Sequence, residues 1–264
     1  MINKEHLVNN LNAVRQKSPL VHNITNYVAM NFSANALLAI GASPVMAHAV
    51  EEMEEMTAIA DALVINIGTL DSQWIDGMLK AGIAMRKRGG VIVLDPVGAG
   101  ATTFRTQTAW KIIETCRPDV IRGNASEIMA LTNSNVRNRG VDSTETPNDA
   151  LESAKVLARS SNSVVTISGP TDYITDGERI ETISNGSPMM TRITAMGCTA
   201  SLMVGVFASV SKNIFEAAVH AMAVMGVAGE LAAERSAGPG SMLANFIDEL
   251  YLLTPDNLSK TLRQ

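Results

Sequence analysis

The chain of 264 residues is long enough for one large domain or two small ones, and its length leans towards one. Hydrophobic residues make up 46% of it and charged residues 18%, a balance that excludes intrinsic disorder. The formal net charge is -5 and no basic run is longer than Arg86-Lys87-Arg88, which argues against a protein that binds nucleic acid or docks on an anionic membrane.

The cysteine content and the apolar stretches indicate a cytoplasmic protein. Two cysteines, Cys116 and Cys198, are too few for a disulfide framework, and the first ten residues contain no apolar signal-peptide region. The uncharged stretch 193–211 approaches the length of a membrane span, but Gly197, Gly205 and several hydroxyl residues dilute it. A helix buried on all sides of a globular protein is the favoured interpretation, and a membrane span is the alternative.

Hydrophobic periodicity, with capping and turn residues as boundaries, predicts alternating helices and strands. In chain order the pattern predicts a helix over 3–17, a strand around 20–21, a helix from a cap at Asn26 to 38, a strand over 43–46, a helix from 51, a strand over 62–67 and a helix over 72–88 that Ser72 caps. It continues with a strand over 91–94, a helix over 107–114, a strand over 119–121, a helix over 124–131, a mobile polar loop over 132–146, a helix over 147–160 and a strand over 164–167.

The last third of the chain begins with a hairpin and is otherwise helical. Segments 173–175 and 179–183 flank Asp176-Gly177, a strong hairpin signal, and helices are predicted over 198–210, 213–235 and 241–251. Short apolar strands that each precede a helix indicate right-handed βαβ units. We therefore predict a single α/β domain over 1–264, with a mostly parallel central sheet, helices on both of its faces and an antiparallel hairpin at one edge.

Ligands of such sheets lie at the carboxyl ends of the strands, so polar residues just after strands are the candidates. Asp95 follows 91–94 and precedes glycine turns, where it could hold magnesium over a phosphate or simply cap a turn. Glu127 lies three residues after Asn124, a spacing that also fits a capping box. Arg122 at a strand end suits a phosphate, although a salt bridge would satisfy it equally.

The segment Thr194–Cys198 opens the late uncharged helix with small residues. Unpaired N–H groups at such a helix start, around Gly197, could form an anion hole for a phosphoryl group. In the first turn, Cys198 is expected to have a thiol pKa below the usual value of about 8.5. A buried cysteine and a close-packed glycine are the plainer alternative, and the segment is not a P-loop because it lacks Gly-Lys-Ser/Thr.

Two early loops could hold a small heterocycle. Pro44 and Met46 offer apolar contacts and Asn26 offers hydrogen bonds, although core packing and helix capping explain them equally well. His220 lies among Ala and Val in a predicted helix and is interpreted as a core histidine.

The order of these motifs resembles that of the hydroxyethylthiazole kinases of thiamine salvage, within the ribokinase-like superfamily, almost from end to end. The motifs that carry the resemblance are VHNITN over 21–26 with Ala34-Asn35, GASPVM over 41–46, NIGTL over 66–70, LDPVGAGATT over 94–103, IRGNASE over 121–127 and GPGS over 238–241. The family usually has Thr-Gly-x-Gly-Cys, whereas Ala195 replaces the first of these glycines here and is followed by Met196. Alanine adds a methyl group there and resists a positive φ, so the anion hole is expected to be slightly reshaped.

The resemblance implies ATP-dependent phosphorylation of the hydroxyl of 4-methyl-5-(2-hydroxyethyl)thiazole, in a homotrimer with its sites at subunit boundaries. It assigns Mg²⁺, directly or through water, to Asp95 and Glu127, and ATP contacts to those two residues with Arg122 and Ser168. It assigns the thiazole pocket to Asn26, Pro44, Met46 and Ala195. The catalytic groups would be the N–H groups at Gly197 and, as a general base, Cys198, although sulfur suits this role less well than a carboxylate. A kinase acting on a pyrimidine or another small alcohol, and a sensor without activity, are the alternatives.

Overall fold

A single mixed sheet of eight strands forms the centre of the protein. The computed structural model describes residues 2–135 and 147–263, with side chains over 2–132 and 148–263. The strands are β1 (Leu20–Ile24), β2 (Ser43–Val45), β3 (Ala62–Asn66), β4 (Val91–Asp95), β5 (Val120–Asn124), β6 (Val164–Ser168), β7 (Asp172–Thr175) and β8 (Ile180–Ile183). Their spatial order is β2-β1-β3-β4-β5-β6-β7-β8. The pairs from β2 to β6 are parallel, and β7 and β8 join antiparallel, which confirms the predicted sheet and edge hairpin.

Helices cover both faces of the sheet. They are α1 (Lys4–Lys17), α2 (Met30–Ile40), α3 (Met53–Ile59), α4 (Ser72–Lys87), α5 (Thr103–Cys116), α6 (Ala125–Asn135), α7 (Pro147–Ser161), α8 (Met196–Val210), α9 (Ile214–Glu234), α10 (Pro239–Leu252) and α11 (Pro255–Thr261), with short 3₁₀ turns at Val50–Glu52 and Pro188–Arg192. Alternate strand residues point to opposite faces, so Val64 and Val93 pack with α8 and α9 while Leu63 and Leu94 pack with the helices of the other layer.

The apolar stretch that resembled a membrane span is a core helix. It forms α8, and all of residues 199–208 are buried, as predicted. Among the helices within the described ranges, α9 alone is long and apolar enough to cross a membrane, and 78% of its apolar window is buried inside the protein. Both helices therefore belong to the interior of the α/β fold.

Several predicted boundaries were wrong. The helix expected from Asn26 begins at Met30, because Asn26 instead forms a turn in which its Oδ1 accepts from the Ala29 N–H at 3.0 Å. Asp71, rather than Ser72, caps α4, with its carboxylate 2.9 Å from the Trp74 N–H. Other differences are longer helices at Thr103–Cys116 and Ala125–Asn135, the latter entering the predicted loop, and the unpredicted α11 at Pro255–Thr261. The rest of that loop, 136–146, lies outside the described residues.

The strand registers bring the candidate residues to one edge. Asn66 is paired with Asp95 where β3 and β4 end, and Asn124 is paired with Ser168 where β5 and β6 end. Because these strands are parallel, their carboxyl ends open on the same side of the sheet. Helix α8 packs across β3 and β4, and its first turn lies near these strand ends.

Candidate active site

A cavity of about 650 Å³ lies where β4, β5 and β6 end and α8 begins. Seven of the ten predicted site residues line it. They are Asp95, Arg122, Glu127, Ser168, Ala195, Gly197 and Cys198. The predicted meeting of the acidic strand-end residues with the start of the late helix is therefore present in the structure.

Asp95 is a buried carboxylate at the end of β4, and only 1% of its surface is exposed. Its Oδ2 accepts hydrogen bonds from Asn66 Nδ2 and Ser201 Oγ, each at 2.8 Å. Burial raises the pKa of Asp95 to about 6, even though the nearby Arg122 charge and these two hydrogen bonds favour the ionised form. The group is therefore mainly ionised at neutral pH, at a cost in folding free energy.

Glu127 forms the capping box that its spacing allowed. Its Oε2 accepts from the Asn124 N–H at 2.8 Å, while Asn124 Oδ1 accepts from the Glu127 N–H at 2.9 Å. The second oxygen, Oε1, accepts from the Gly98 N–H at 2.8 Å. Glu127 thus ties the turn after β4 to the start of α6, and both of its oxygens already accept backbone N–H groups.

Arg122 crosses from the sheet to the start of α8. Its Nη2 donates to Ser168 Oγ, and a β-carbon added at Gly197 would lie 2.8 Å from its Nη1. The side chain is 7% exposed, and its Nε is among the buried polar atoms that have no hydrogen-bond partner within the described part of the chain. The salt-bridge alternative also finds no support over these residues, where no carboxylate oxygen lies within 4.0 Å of Arg122. A buried guanidinium with spare donors at a cavity is suited to bind an anion.

The first turn of α8 presents backbone N–H groups to the same cavity. Its N-cap residue is Ala195, and no side chain caps the helix. The four leading N–H groups of a helix lack intrahelical partners, and the positive end of the helix dipole reinforces them. Ala195 has φ +67° and ψ 0°, a left-handed conformation that glycine adopts more easily than alanine.

The predicted lowering of the Cys198 pKa was wrong. Burial raises the pKa of this thiol to about 11, and the negative charge of Asp95 adds to the effect. Hydrogen bonds from Asn26 and Asn66 and the charge of Arg122 act in the opposite direction but do not outweigh it. The helix start therefore does not produce a thiolate here, because desolvation of the half-buried thiol and the charge of Asp95 outweigh it.

Asn26, one of the predicted thiazole contacts, is linked to this cavity through a buried network. Its Nδ2 lies 2.9 Å from Asn66 Oδ1 and 3.3 Å from Cys198 Sγ, and Asn66 in turn donates to Asp95. Asn66 Oδ1 also accepts from the Gly68 N–H at 3.0 Å. A continuous chain of hydrogen bonds thus joins the carboxylate of β4 to the loop that follows β1.

Pro44 and Met46 lie outside the lining of the cavity, at the other end of the sheet. Pro44 lies in β2 and is paired with Val21 of β1. Met46 follows β2, with its sulfur 3.3 Å from Asn23 Nδ2. The structure therefore brings together the predicted phosphate-side residues and leaves two predicted thiazole contacts apart from them, across β1 and β3. His220 is a core histidine, as expected: it is 1% exposed, and burial lowers its pKa to about 4.

Three residues of the site were missed from sequence. Asn66 could have been identified from the sequence, because it ends a strand just before Gly68. Ser201 lies inside an apolar helix, where no neighbouring residue indicates a functional role. Asp172 also lines the cavity; its Oδ1 accepts from the Gly169 N–H at 3.0 Å, and burial raises its pKa to about 6. Its position at the start of the predicted hairpin could have indicated it.

Comparisons with known proteins agree on one family. The profile of the hydroxyethylthiazole kinase family matches residues 11–256. A hydroxyethylthiazole kinase from Syntrophus aciditrophicus is 54% identical over 252 residues, which cover 95% of this chain and 93% of that protein. The structure of a hydroxyethylthiazole kinase protein from Pyrococcus horikoshii superposes with a TM-score of 0.91 at 41% identity, covering 98% of each chain.

More distant structures show the fold alone. A ribokinase-like superfamily protein from Enterococcus faecalis has a TM-score of 0.64 at 14% identity, covering 94% of this chain and 89% of its own. The resemblance deduced from the motifs is confirmed by the profile, the identities and the superposition together. This chain therefore belongs to the hydroxyethylthiazole kinase family and has the ribokinase-like fold.

Proposed function

We propose that this kinase, acting as a single domain over 1–264, transfers the γ-phosphoryl group of ATP to the hydroxyl of 4-methyl-5-(2-hydroxyethyl)thiazole in thiamine salvage. The observation that carries the proposal is the single cavity at which a buried carboxylate, a buried guanidinium and an uncapped helix start meet. Phosphoryl transfer depends mainly on positioning and on neutralising charge, and these are the groups that do both.

The phosphate chain of ATP would lie between β5 and the first turn of α8. Arg122, with its unpartnered Nε, and Ser168 would bind phosphate oxygens, while the N–H groups around Gly197 would hold the transferring group. The alcohol oxygen attacks the γ-phosphorus, the bond to the β-phosphate oxygen breaks, and ADP leaves. The tight contact between Gly197 and Arg122 supports this arrangement, since any side chain at Gly197 would push the guanidinium away.

The donor set fits Mg²⁺ held largely by ATP and water. The described residues contain no group of three or more His, Cys, Asp or Glu side chains placed to enclose a metal ion. Within the described residues, no group donates to Oδ1 of Asp95, whereas both Glu127 oxygens accept backbone N–H groups, so Glu127 would act through water. Few carboxylates, several waters and substrate phosphates are the usual surroundings of Mg²⁺ in kinases. When bound, the ion would neutralise charge on the β- and γ-phosphates.

The role of Cys198 as general base is weakened by its surroundings. With a pKa of about 11, about one thiol in three thousand is ionised at pH 7.5. We propose that Cys198 contacts the alcohol mainly as a neutral thiol and that the hydroxyl proton passes to solvent water as the new phosphorus–oxygen bond forms. Its minor thiolate form remains the candidate proton acceptor that a pH profile can identify.

The thiazole would lie beyond Cys198, towards Asn26. Asn26 and Ala195 both lie near this cysteine, and Pro44 in β2 and Met46 just after it would supply apolar contacts. The side chains that follow Asn26, Tyr27 and Val28, are 65% and 63% exposed. Exposed apolar groups next to a site support a neighbouring subunit that covers it, and we propose a homotrimer of this kind in the cytoplasm. Light scattering on the purified protein tests the trimer.

A coupled ADP-release assay tests the proposed function. The wild-type protein, with ATP and Mg²⁺, is offered the thiazole alcohol, hydroxymethylpyrimidine and a sugar. Release of ADP with the thiazole alcohol, at a kcat/KM at least about a hundredfold above the other two, is the expected result. Preference for the pyrimidine or the sugar would show that the same phosphate-binding residues serve a different acceptor alcohol. Binding of thiazole without ADP release under any condition would identify a sensor and overturn the proposal.

A further inference from the structure

One wall of the cavity is an irregular segment that lies between β8 and the 3₁₀ turn at Pro188–Arg192. Residues 184–187 form this segment, which we call the cavity wall, and all four line the cavity. Gly186 has φ +134°, and the segment has no place in the sheet or in a helix. Its position therefore depends on the groups that bind it from behind.

The side chain of Asn185 fastens the cavity wall to the C-terminal end of the chain. Asn185 is 7% exposed, and its Nδ2 donates to the Thr261 carbonyl oxygen and to Glu230 Oε2, both at 2.9 Å. Its Oδ1 accepts from the Arg263 N–H at 2.8 Å. Every polar atom of this side chain thus binds α9 or the last residues of the chain, none of which is near in sequence.

Glu230 of α9 joins the same group of contacts. Its Oε2 also accepts from the Gly186 N–H at 3.3 Å and from the guanidinium of Arg263. A turn earlier in α9, a β-carbon added at Gly226 would lie 2.8 Å from the Asn185 carbonyl oxygen. The backbone of α9 therefore lies directly against the cavity wall, and Glu230 holds it there.

The C-terminal residues are themselves well anchored. Leu258 and Leu262 are buried in the hydrophobic core that includes the residues of α9. The family profile ends at residue 256, so Thr261 and Arg263 lie beyond the part of the chain that it matches. The attachment of the cavity wall thus depends on residues that follow the part of the chain matched by the profile.

We infer that residues 261–263, acting with Glu230 through Asn185, are positioning residues that hold the cavity wall in place for the nucleotide. The inference rests on the proposed function, because it takes the ligand of this cavity to be ATP. The wall lies on the cavity side formed by β8 and α9. Of the proposed thiazole contacts, Asn26, Pro44 and Met46 belong to β1, β2 and the residues that follow them, towards the opposite edge of the sheet, and Ala195 is held by the start of α8 rather than by the wall. Loss of the attachment should therefore weaken nucleotide binding and leave thiazole binding unchanged.

The test compares three variants at the wall, and one control variant, with the wild type of the full protein. Asn185→Ala removes all three side-chain bonds, and Glu230→Ala removes the carboxylate that binds the wall and Arg263. Glu230→Gln keeps an oxygen that can accept from Asn185 and Gly186, so it should restore most of the wild-type behaviour. Lys4→Ala is the matched control, because it breaks a contact of α11 that does not reach the wall.

The expected result is a rise of about tenfold in the KM for ATP and in the dissociation constant of ADP, measured by calorimetry, for the two alanine variants at the wall. The KM for the thiazole alcohol and kcat at saturating ATP should stay within about twofold, as should all constants of Lys4→Ala. An unchanged dissociation constant for ADP would overturn the inference. So would a parallel loss in both KM values and kcat together with a lower melting temperature, which would show a general structural role. A wild-type protein that binds ADP but phosphorylates nothing would refute the proposed function alone.

Discussion

Replacement of Asp95 by asparagine is expected to stabilise the fold while it removes the kinase activity. The carboxylate is buried, and its burial raises the pKa from 3.8 to about 6. Asparagine has nearly the same shape, and its Oδ1 can accept the hydrogen bonds that Asn66 and Ser201 now donate. The variant therefore loses a charge that the folded interior disfavours and keeps the contacts that surround it.

The size and the pH dependence of the effect follow from the raised pKa. On raising the pH from 4, the unfolded chain loses this proton first, so the free energy of unfolding of the wild type falls as the pH rises towards 6. With pKa values of 3.8 and about 6, the ionised group costs roughly 2 kcal/mol at pH 5.0 and roughly 3 kcal/mol at pH 7.5. The neutral amide carries no such cost, so Asp95→Asn should exceed the wild type in stability by a gap that widens over this range.

Urea unfolding at pH 5.0 and pH 7.5, at one fixed protein concentration, measures the gap. Asp256→Asn is the control, because Asp256 is a surface carboxylate with 73% of its side chain exposed and, over the described residues, forms an ion pair with Lys260 alone. Activity of Asp95→Asn should fall at least about a hundredfold, since its charge toward the metal and phosphates is lost. A variant less stable than the wild type at pH 7.5, or a gap that does not widen with pH, would refute the reasoning.

Three further predictions concern the phosphate side of the cavity. Ala195→Gly should raise the free energy of unfolding by about 1 kcal/mol in urea titrations, because glycine relieves the strain of the left-handed conformation at φ +67°. The control Ala208→Gly, inside α8, should lower the free energy of unfolding. A less stable Ala195→Gly variant would contradict the prediction. Cys198→Ser should keep activity within about tenfold of the wild type at pH 7.5, and the wild-type kcat should be level from pH 7 to pH 9. A wild-type kcat that rises about tenfold per pH unit would instead identify the thiolate as the base. Arg122→Ala should raise the KM for ATP or lower kcat by about tenfold or more, and unchanged kinetics would remove Arg122 from the site.

The strand-end residues could be predicted from sequence because parallel sheets collect them at one edge. The apolar runs before Asp95 and Arg122 marked buried strands, and the observed registers place the ends of β3 to β6 side by side. Only local information was needed: the length of each run, its β-branched composition and the turn residues that follow it. The general position of the phosphate side follows from these features and from the rule that ligands bind where such strands end.

The contacts that define the chemistry could not be predicted in this way. Asn26 has the sequence context of a helix cap, yet its amide binds Asn66 and Cys198, which are 40 and 172 residues away along the chain. Ser201 has no distinguishing neighbours, and its bond to Asp95 exists only because α8 packs across the sheet. Such partners depend on tertiary packing, which overrides local capping preferences whenever a buried amide finds a better-placed acceptor.

The Cys198 thiol shows how the same packing reverses an electrostatic expectation. A helix start favours a thiolate when solvent reaches the sulfur, and that condition was implicit in the prediction from sequence. In the folded protein, a hydrogen-bond chain through Asn66 and Asn26 links the sulfur to Asp95. Desolvation is the main cause of the raised thiol pKa, and the negative charge of Asp95 adds to it, so the carboxylate, with the lower pKa, carries the charge. The packing that brings the strand-end carboxylate and the start of α8 to one cavity therefore also keeps Cys198 neutral.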